Sequence, residues 1–216
     1  MKNFIYMLIF ISCATISFGT QMDFSQESIK LLKPNLHSGK NIMETLNERK
    51  SSRDFTDITL TLEEVSEILW AANGINREDG KRTSPSAMGV YSVDIYAVFK
   101  NGIYKYNPVD ETITLTAKGD HRTLAGMQDF VFIAPLNLIY ITDMSKYEKF
   151  TNIDKEKLIF FSGQDAASYA ENVNIYTAGK GMKSITRGGA KWEELFKVLN
   201  LDKEKYHFVL AQSVGK

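Results

Sequence analysis

Cysteine is almost missing from this chain of 216 residues; the one present is Cys13. A single thiol excludes a disulfide within the chain and removes the thiolate clusters that structural zinc sites use. Histidine is scarce too. His37, His121 and His207 stand far apart, and none has a partner at i+4, so no metal-binding helix face is written in the sequence. Neither sign of charge is in excess, with 26 basic and 26 acidic residues. That balance argues against a nucleic-acid backbone as partner, because phosphates select basic surfaces. Nucleophile elbows and Walker loops are missing, as are repeats and low-complexity tracts. Beyond the N-terminus no run is apolar enough to span a membrane.

What is present reads as an ordinary globular chain, 44% hydrophobic, long enough for one domain with a sizeable core. Residues 1–19, "MKNFIYMLIFISCATISFG", carry one lysine, an apolar run, then small residues at Ser17 and Gly19. This is the pattern of a secretory signal peptide and predicts export, to the periplasm or envelope. Its removal takes one base and no acid. Cys13 is either an inert residue of that signal or the lipidated cysteine of a lipoprotein.

Residues 20–39 are polar, interrupted by Pro34 and Gly39, and read as an N-terminal arm before a domain over 40–216. In "NIMETLNERK", Ile42, Met43 and Leu46 have helical spacing. A second helix, "TLEEVSEILWAANG", opens on a Thr61–Glu64 capping box and stops at Gly74. The period then changes. "VDIYAVF", "IYKYN" and "ETITLT" read as strands, with Asn101–Gly102 as a hairpin signal. Pro135–Thr142 reads as a buried strand and Asp154–Gly179 as a long helix. "KWEELFKVLN" is a last helix and "YHFVLAQSV" a last strand. Helices and strands do not alternate regularly, so the class is α+β.

One short stretch stands out. "ERKSSRDF" puts Arg49, Lys50, Ser51, Ser52 and Arg53 together at a helix end. Alone, such a cluster is a solvated helix C-terminus. Two further features change its meaning: a loop of small residues, "TSPSAMG", and a second loop, "TRGG", with free backbone donors. A planar ligand carrying a phosphate would use all of them, and the final Lys216 as well.

These stretches resemble the signatures of nitroreductase-like flavoproteins. "ERKSSRDF" is similar to their Arg-x-Ser-x-Arg motif, "PSA" at 85–87 to their second motif, and "AENVNIYTAGKG" to the helix before their flavin-edge loop. The pattern runs from about Ile42 to the C-terminus and is nearest to the SagB-type branch. The resemblance implies an α+β fold with a mainly antiparallel central sheet flanked by helices, as an intertwined homodimer with FMN at its interface. By position, Arg49, Lys50, Ser51 and Arg53 would hold the phosphate and ribityl chain, and Lys216 would join the phosphate. Pro85, Ser86, Ala87 and Met88 would come from the partner subunit. Thr186, Arg187 and Gly188 would lie along the flavin edge, a backbone N–H directed at N5.

The implied function is FMN-dependent oxidoreduction. A small-molecule donor would reduce the flavin, and a flat acceptor, a nitroaromatic or quinone, would take the electrons in the same cleft; no catalytic side chain is required. An exported enzyme would not meet NAD(P)H, which supports one alternative, an exported flavin-binding or sequestering protein; a further alternative, an azoline-type oxidase, implies cytoplasmic partner enzymes, which export disfavours. Two departures from the family pattern are visible. Gly89 stands near where many relatives have an asparagine, and the chain stops soon after "VG".

Overall fold

The computed structural model describes residues 19–216; the expected signal peptide up to Phe18, and Cys13 with it, lies outside the described residues. The elements in chain order are β1 (Ser28–Lys30), α1 (Ile42–Glu48), α2 (Leu62–Asn73), β2 (Val93–Phe99), β3 (Gly102–Asn107) and β4 (Thr112–Lys118). They continue with α3 (Asp129–Ile133), β5 (Leu136–Asp143), α4 (Lys155–Gly179), β6 (Lys183–Arg187), α5 (Trp192–Leu199) and β7 (Tyr206–Gly215). The strands form one sheet in the order β1-β4-β3-β2-β5-β7-β6, every pair antiparallel. The α+β class holds, with helices on both faces.

Alternation along β2 shows why two layers form. Ile95, Ala97 and Phe99 join the core beneath α2 and α4, while Tyr96 and Val98 join the core beneath α5. Tyr140 and Leu138 of β5 face the first core, and Ile139 and Ile141 the second. Among the described residues, no helix is long and apolar enough to cross a membrane.

The sequence reading is corrected at three places. The stretch 20–39 is more than an arm: β1 pairs with β4, and Met22, Ile29 and Leu31 are buried. The hairpin turns one residue early, since Phe99 faces Gly102 and leaves Lys100 and Asn101 in the turn. Gly102 is there for closeness, not for turning; a Cβ on it would lie 2.7 Å from the carbonyl oxygen of Ala117. The third correction is β6. "TRGG" is not wholly a loop, because Thr186 and Arg187 are the last residues of the sheet's edge strand.

Candidate functional site

Helix α1 starts on Asn41, whose side chain accepts from the Glu44 N–H, and ends at Arg49. The chain then lies against β6. Ser51 forms a parallel bridge with Ser184, and the Ser52 N–H donates to the Ser184 carbonyl at 3.0 Å. That bond shows that Ser184 turns its main-chain groups away from β7. By alternation along an antiparallel strand, Thr186 does the same. The open sheet edge therefore offers a Thr186 backbone donor beside the cationic cluster.

Lys50, Ser51 and Arg53 are exposed, and no protein acceptor engages the side chain of Lys50 or Arg53 among the described residues. Arg49 is half-buried and touches Glu171 of α4 only loosely, at 3.9 Å. Lys50 and Ser52 also line a groove of about 250 Å³ whose far wall is Asn174, Thr177 and Ser184.

Asn174 organises this wall. Its Nδ2 donates to Thr186 Oγ1 at 3.2 Å and to Glu171 Oε2 at 2.9 Å. Its Oδ1 accepts from Ser184 Oγ at 2.9 Å and from Gln212 Nε2 at 2.8 Å. Gln212 is fully buried, and its Oε1 accepts from the Tyr140 hydroxyl at 2.7 Å. Burial pushes the Tyr140 hydroxyl far above its ordinary value, so it stays a donor. A polar chain thus runs from the sheet centre to the edge that carries Thr186.

The other expected residues divide. Ser86 donates from Oγ to Asp165 Oδ2 at 2.6 Å, the Ala87 N–H donates to Asp165 Oδ1 at 3.0 Å, and the Tyr91 N–H donates to Ser86 Oγ at 2.8 Å. Met88 and Tyr91 in this loop have φ of 56° and 50°, a region unfavourable to side-chain-bearing residues. Pro85 and Met88 are exposed. Within one chain this loop is held on α4 about 9 Å along the axis from Glu171, by helical rise, so it is not gathered with Arg49 to Arg53.

Arg187 turns inward. Its Nη1 donates to the Ala125 carbonyl at 2.7 Å, and its Nη2 donates to Asn137 Oδ1 at 3.2 Å. Burial lowers its guanidinium to about 10. By the same alternation its backbone faces β7, where it pairs with Ala211, so neither its side chain nor its main chain is open to a ligand; the neighbouring Gly188 is exposed. Lys216 is not brought to the cluster: its ammonium pairs with Glu64 Oε1 at 2.7 Å, and its carbonyl accepts from the Thr56 N–H at 2.9 Å.

Sequence reasoning missed Asp165, Asn174 and Gln212. A signal existed, because Asn and Asp are poor residues inside a helix unless they have a partner.

Three comparisons bear on identity. Residues 46–216 match the profile of the nitroreductase family. A provisionally named nitroreductase of Methanocaldococcus jannaschii is 28% identical over 200 residues, which cover 88% of this chain and 98% of that one. The crystal structure of a provisionally named nitroreductase from Ralstonia eutropha is 33% identical with a TM-score of 0.82, covering 92% of this chain and 93% of the other. Another such protein, from Desulfovibrio desulfuricans, solved in complex with FMN, shares the fold at 17% identity and TM-score 0.57, over 82% of this chain and 87% of its own.

Proposed function

The chain belongs to the nitroreductase family, and from that premise we propose that it is an FMN-dependent oxidoreductase acting on small planar acceptors. The observation that carries this reading is the docking of residues 49–53 along the open edge of β6. It sets Arg49, Lys50, Ser51 and Arg53 beside the outward-facing backbone of Thr186.

These residues fit the cofactor. A phosphate monoester is close to doubly charged, and guanidinium groups bind it in bidentate fashion. Arg49, Lys50 and Arg53 supply uncommitted donors, and Ser51 an exposed hydroxyl. The flat isoalloxazine ring would run along the β6 edge, where Thr186 offers its N–H and Gly188 leaves space; a Cβ on Gly188 would meet nothing within 4 Å. When bound, FMN supplies the two-electron chemistry, reduced by one small molecule and reoxidised by another. The protein's part is to bind, orient and shield. Asn174 fixes the Thr186 side chain, and Gln212 fixes Asn174. The family comparison does not reach the SagB-type branch, the donor or the acceptor.

The same reading includes a homodimer. Ile42, Met43 and Leu46, at helical spacing on α1, are 57%, 71% and 47% exposed, an apolar strip with no cover in one chain. A second copy would cover it and bring Pro85–Met88 toward the facing site. Export, from the signal-like residues 1–19, is proposed as well; mass spectrometry of the mature N-terminus tests it, and an intact Met1 would overturn it.

Purified protein should be yellow, or take up added FMN, and sediment as a dimer. A protein that refuses FMN would sink the cofactor reading, and a stable flavin-loaded monomer would sink the dimer.

A further inference from the structure

Among the described residues two arginines are buried, each 7% exposed, and the fold treats them differently. Arg122 is paired with Asp120 at 2.7 Å. Arg187 has no carboxylate within ion-pair distance among the described residues. Its Nη1 donates to the carbonyls of Ala125 at 2.7 Å and Gly189 at 3.3 Å, and its Nη2 to Asn137 Oδ1 at 3.2 Å. All three acceptors are neutral. Its Nε is buried with no partner at all.

Packing alone does not call for a charge here. Three neutral oxygens need donors, and a carboxamide supplies donors without the cost of burying an ion. A buried cation with no counter-charge is kept for a reason, and functional sites are where such groups gather. The chain makes room for this one. A Cβ on Gly126 would lie 2.2 Å from Arg187 Nη1, and Gly126 has no positive φ that would otherwise explain a glycine. The guanidinium is one hydrogen bond from Gly189, and Gly188 beside it is exposed at the end of β6. Bond lengths put the charge on the order of 10 Å from any group resting on the Gly188 main chain. The residues that bond it, Ala125, Asn137 and Gly189, carry no ionisable side chain, so none of them cancels its field.

We infer that Arg187 is the counter-charge of the reduced flavin ring, a positioning residue that touches neither flavin nor substrate and acts through its field at the 188–189 loop. The inference rests on the flavin reading and deepens it. A ring that takes a hydride from the donor gains two electrons and one proton, hence one negative charge, and a nearby cation removes the need for a second proton. In a site of low dielectric a charge is felt at this range, and charge near the ring nitrogens tunes their electronics. The oxidised ring is neutral, so Arg187 favours the reduced one. Its guanidinium stays protonated at neutral pH.

The test is the midpoint potential of FMN bound to the purified protein, read against a reference dye during slow reduction by xanthine and xanthine oxidase. Arg187→Gln keeps amide donors and removes the charge; Arg187→Lys keeps the charge and loses the planar donors. In Arg187→Gln the affinity ratio of reduced to oxidised FMN should fall about tenfold, which lowers the potential by about 30 mV. Affinity for oxidised FMN should change less than that ratio, and Arg187→Lys should keep the wild-type potential. A purely structural arginine predicts the opposite order, with Lys disturbing more than Gln. The wild type gives a second reading that needs no variant to fold. At mildly acidic pH its potential should fall by about 30 mV per pH unit, one proton for two electrons, whereas about 60 mV would mean a neutral reduced ring. An unmoved potential in Arg187→Gln, an equal drop in Arg187→Lys, or the steeper slope overturns the inference while bound FMN still upholds the cofactor. Refusal of FMN by the wild type is seen first; it overturns the flavin reading, and this inference with it.

Discussion

Two arginine environments lie a few residues apart along the same edge of the sheet. Around Arg49 and Arg53 the guanidinium groups sit at the surface with donors uncommitted. Arg187 is 7% exposed, and its donors reach the carbonyl of Ala125 and the amide oxygen of Asn137. Asn137 Oδ1 also accepts from Ser213 Oγ at 2.6 Å, which ties Arg187 to β5 and β7 together. Even the nearby backbone is shaped to it: a Cβ on Gly126 would lie 2.2 Å from Arg187 Nη1. The difference separates two uses of one residue type. A guanidinium whose donors are spent on protein acceptors holds the fold, and one whose donors are free is available to an anion.

The comparison breaks most visibly at Arg187. Replacing it with Met removes a buried cation, strands the Ala125 carbonyl and leaves the Asn137 amide oxygen with the Ser213 bond alone. The stranded group costs about 1–3 kcal/mol and the lost bond to Asn137 about 1 kcal/mol more, so a total of roughly 2–4 kcal/mol is expected. Denaturant unfolding of the flavin-free protein reads this directly. An unchanged midpoint would mean that the inward arginine carries no structural role.

Arg49→Ala sharpens the other side. It removes one half-buried cation whose only ion pair among the described residues is the 3.9 Å contact with Glu171, so stability should move by no more than ~0.5 kcal/mol. FMN affinity should fall by roughly 10- to 150-fold, the range of a hydrogen bond to a charged group. Equilibrium dialysis against FMN at fixed salt is the measurement. If Arg49→Ala melts the protein and leaves FMN binding intact, the assignment of the two environments is reversed.

Between these lies Asn174, which joins the buried chain to the open edge. Asn174→Leu leaves one N–H of Gln212 Nε2 short of an acceptor, while Ser184 Oγ keeps Thr177 Oγ1 at 2.8 Å, and costs ~1–2 kcal/mol. It should also alter the absorbance spectrum of bound FMN, because Thr186 loses its anchor. A stability loss with an unaltered spectrum would place Asn174 in the fold alone.

The sequence carried much of this, unevenly. Long helices with clear ends were legible: α4 covers Lys155–Gly179 of the expected 154–179, with Asp154 as its cap, and Thr61 and Glu64 form the expected box. The cationic cluster was legible as a local density of like residues. Strand β6 was not, since five residues between glycines show too little alternation to outweigh the turn signal of Gly188 and Gly189. The inward course of Arg187 was hidden for another reason: its acceptors, Ala125 and Asn137, are 62 and 50 residues away. The apolar spacing of α1 was read correctly as helix, yet its face is uncovered in one chain, because periodicity reports a helix face and not what buries it.

Asp165 offers the smallest and most specific test of the loop on the other side of α4. Burial raises its carboxyl above the ordinary aspartate range; the bonds from Ser86 Oγ and the Ala87 N–H pull the other way and offset this only in part. An acid with a raised folded value holds its proton more tightly in the folded state. Stability is therefore lost as pH rises from the ordinary value through the raised one, and regained on acidification. Asp165→Asn has no such ionisation, and its carboxamide oxygen can still accept from Ala87. The two proteins should unfold alike below the aspartate range, and the variant should gain on the wild type as pH approaches neutrality. Paired urea titrations at acidic and neutral pH read the difference. A gap that does not change with pH would show that Asp165 ionises as a free carboxylate. A wild type favoured at neutral pH would show that the bonds to Ser86 and Ala87 outweigh burial, and that the charged form clamps a loop carrying left-handed Met88 and Tyr91.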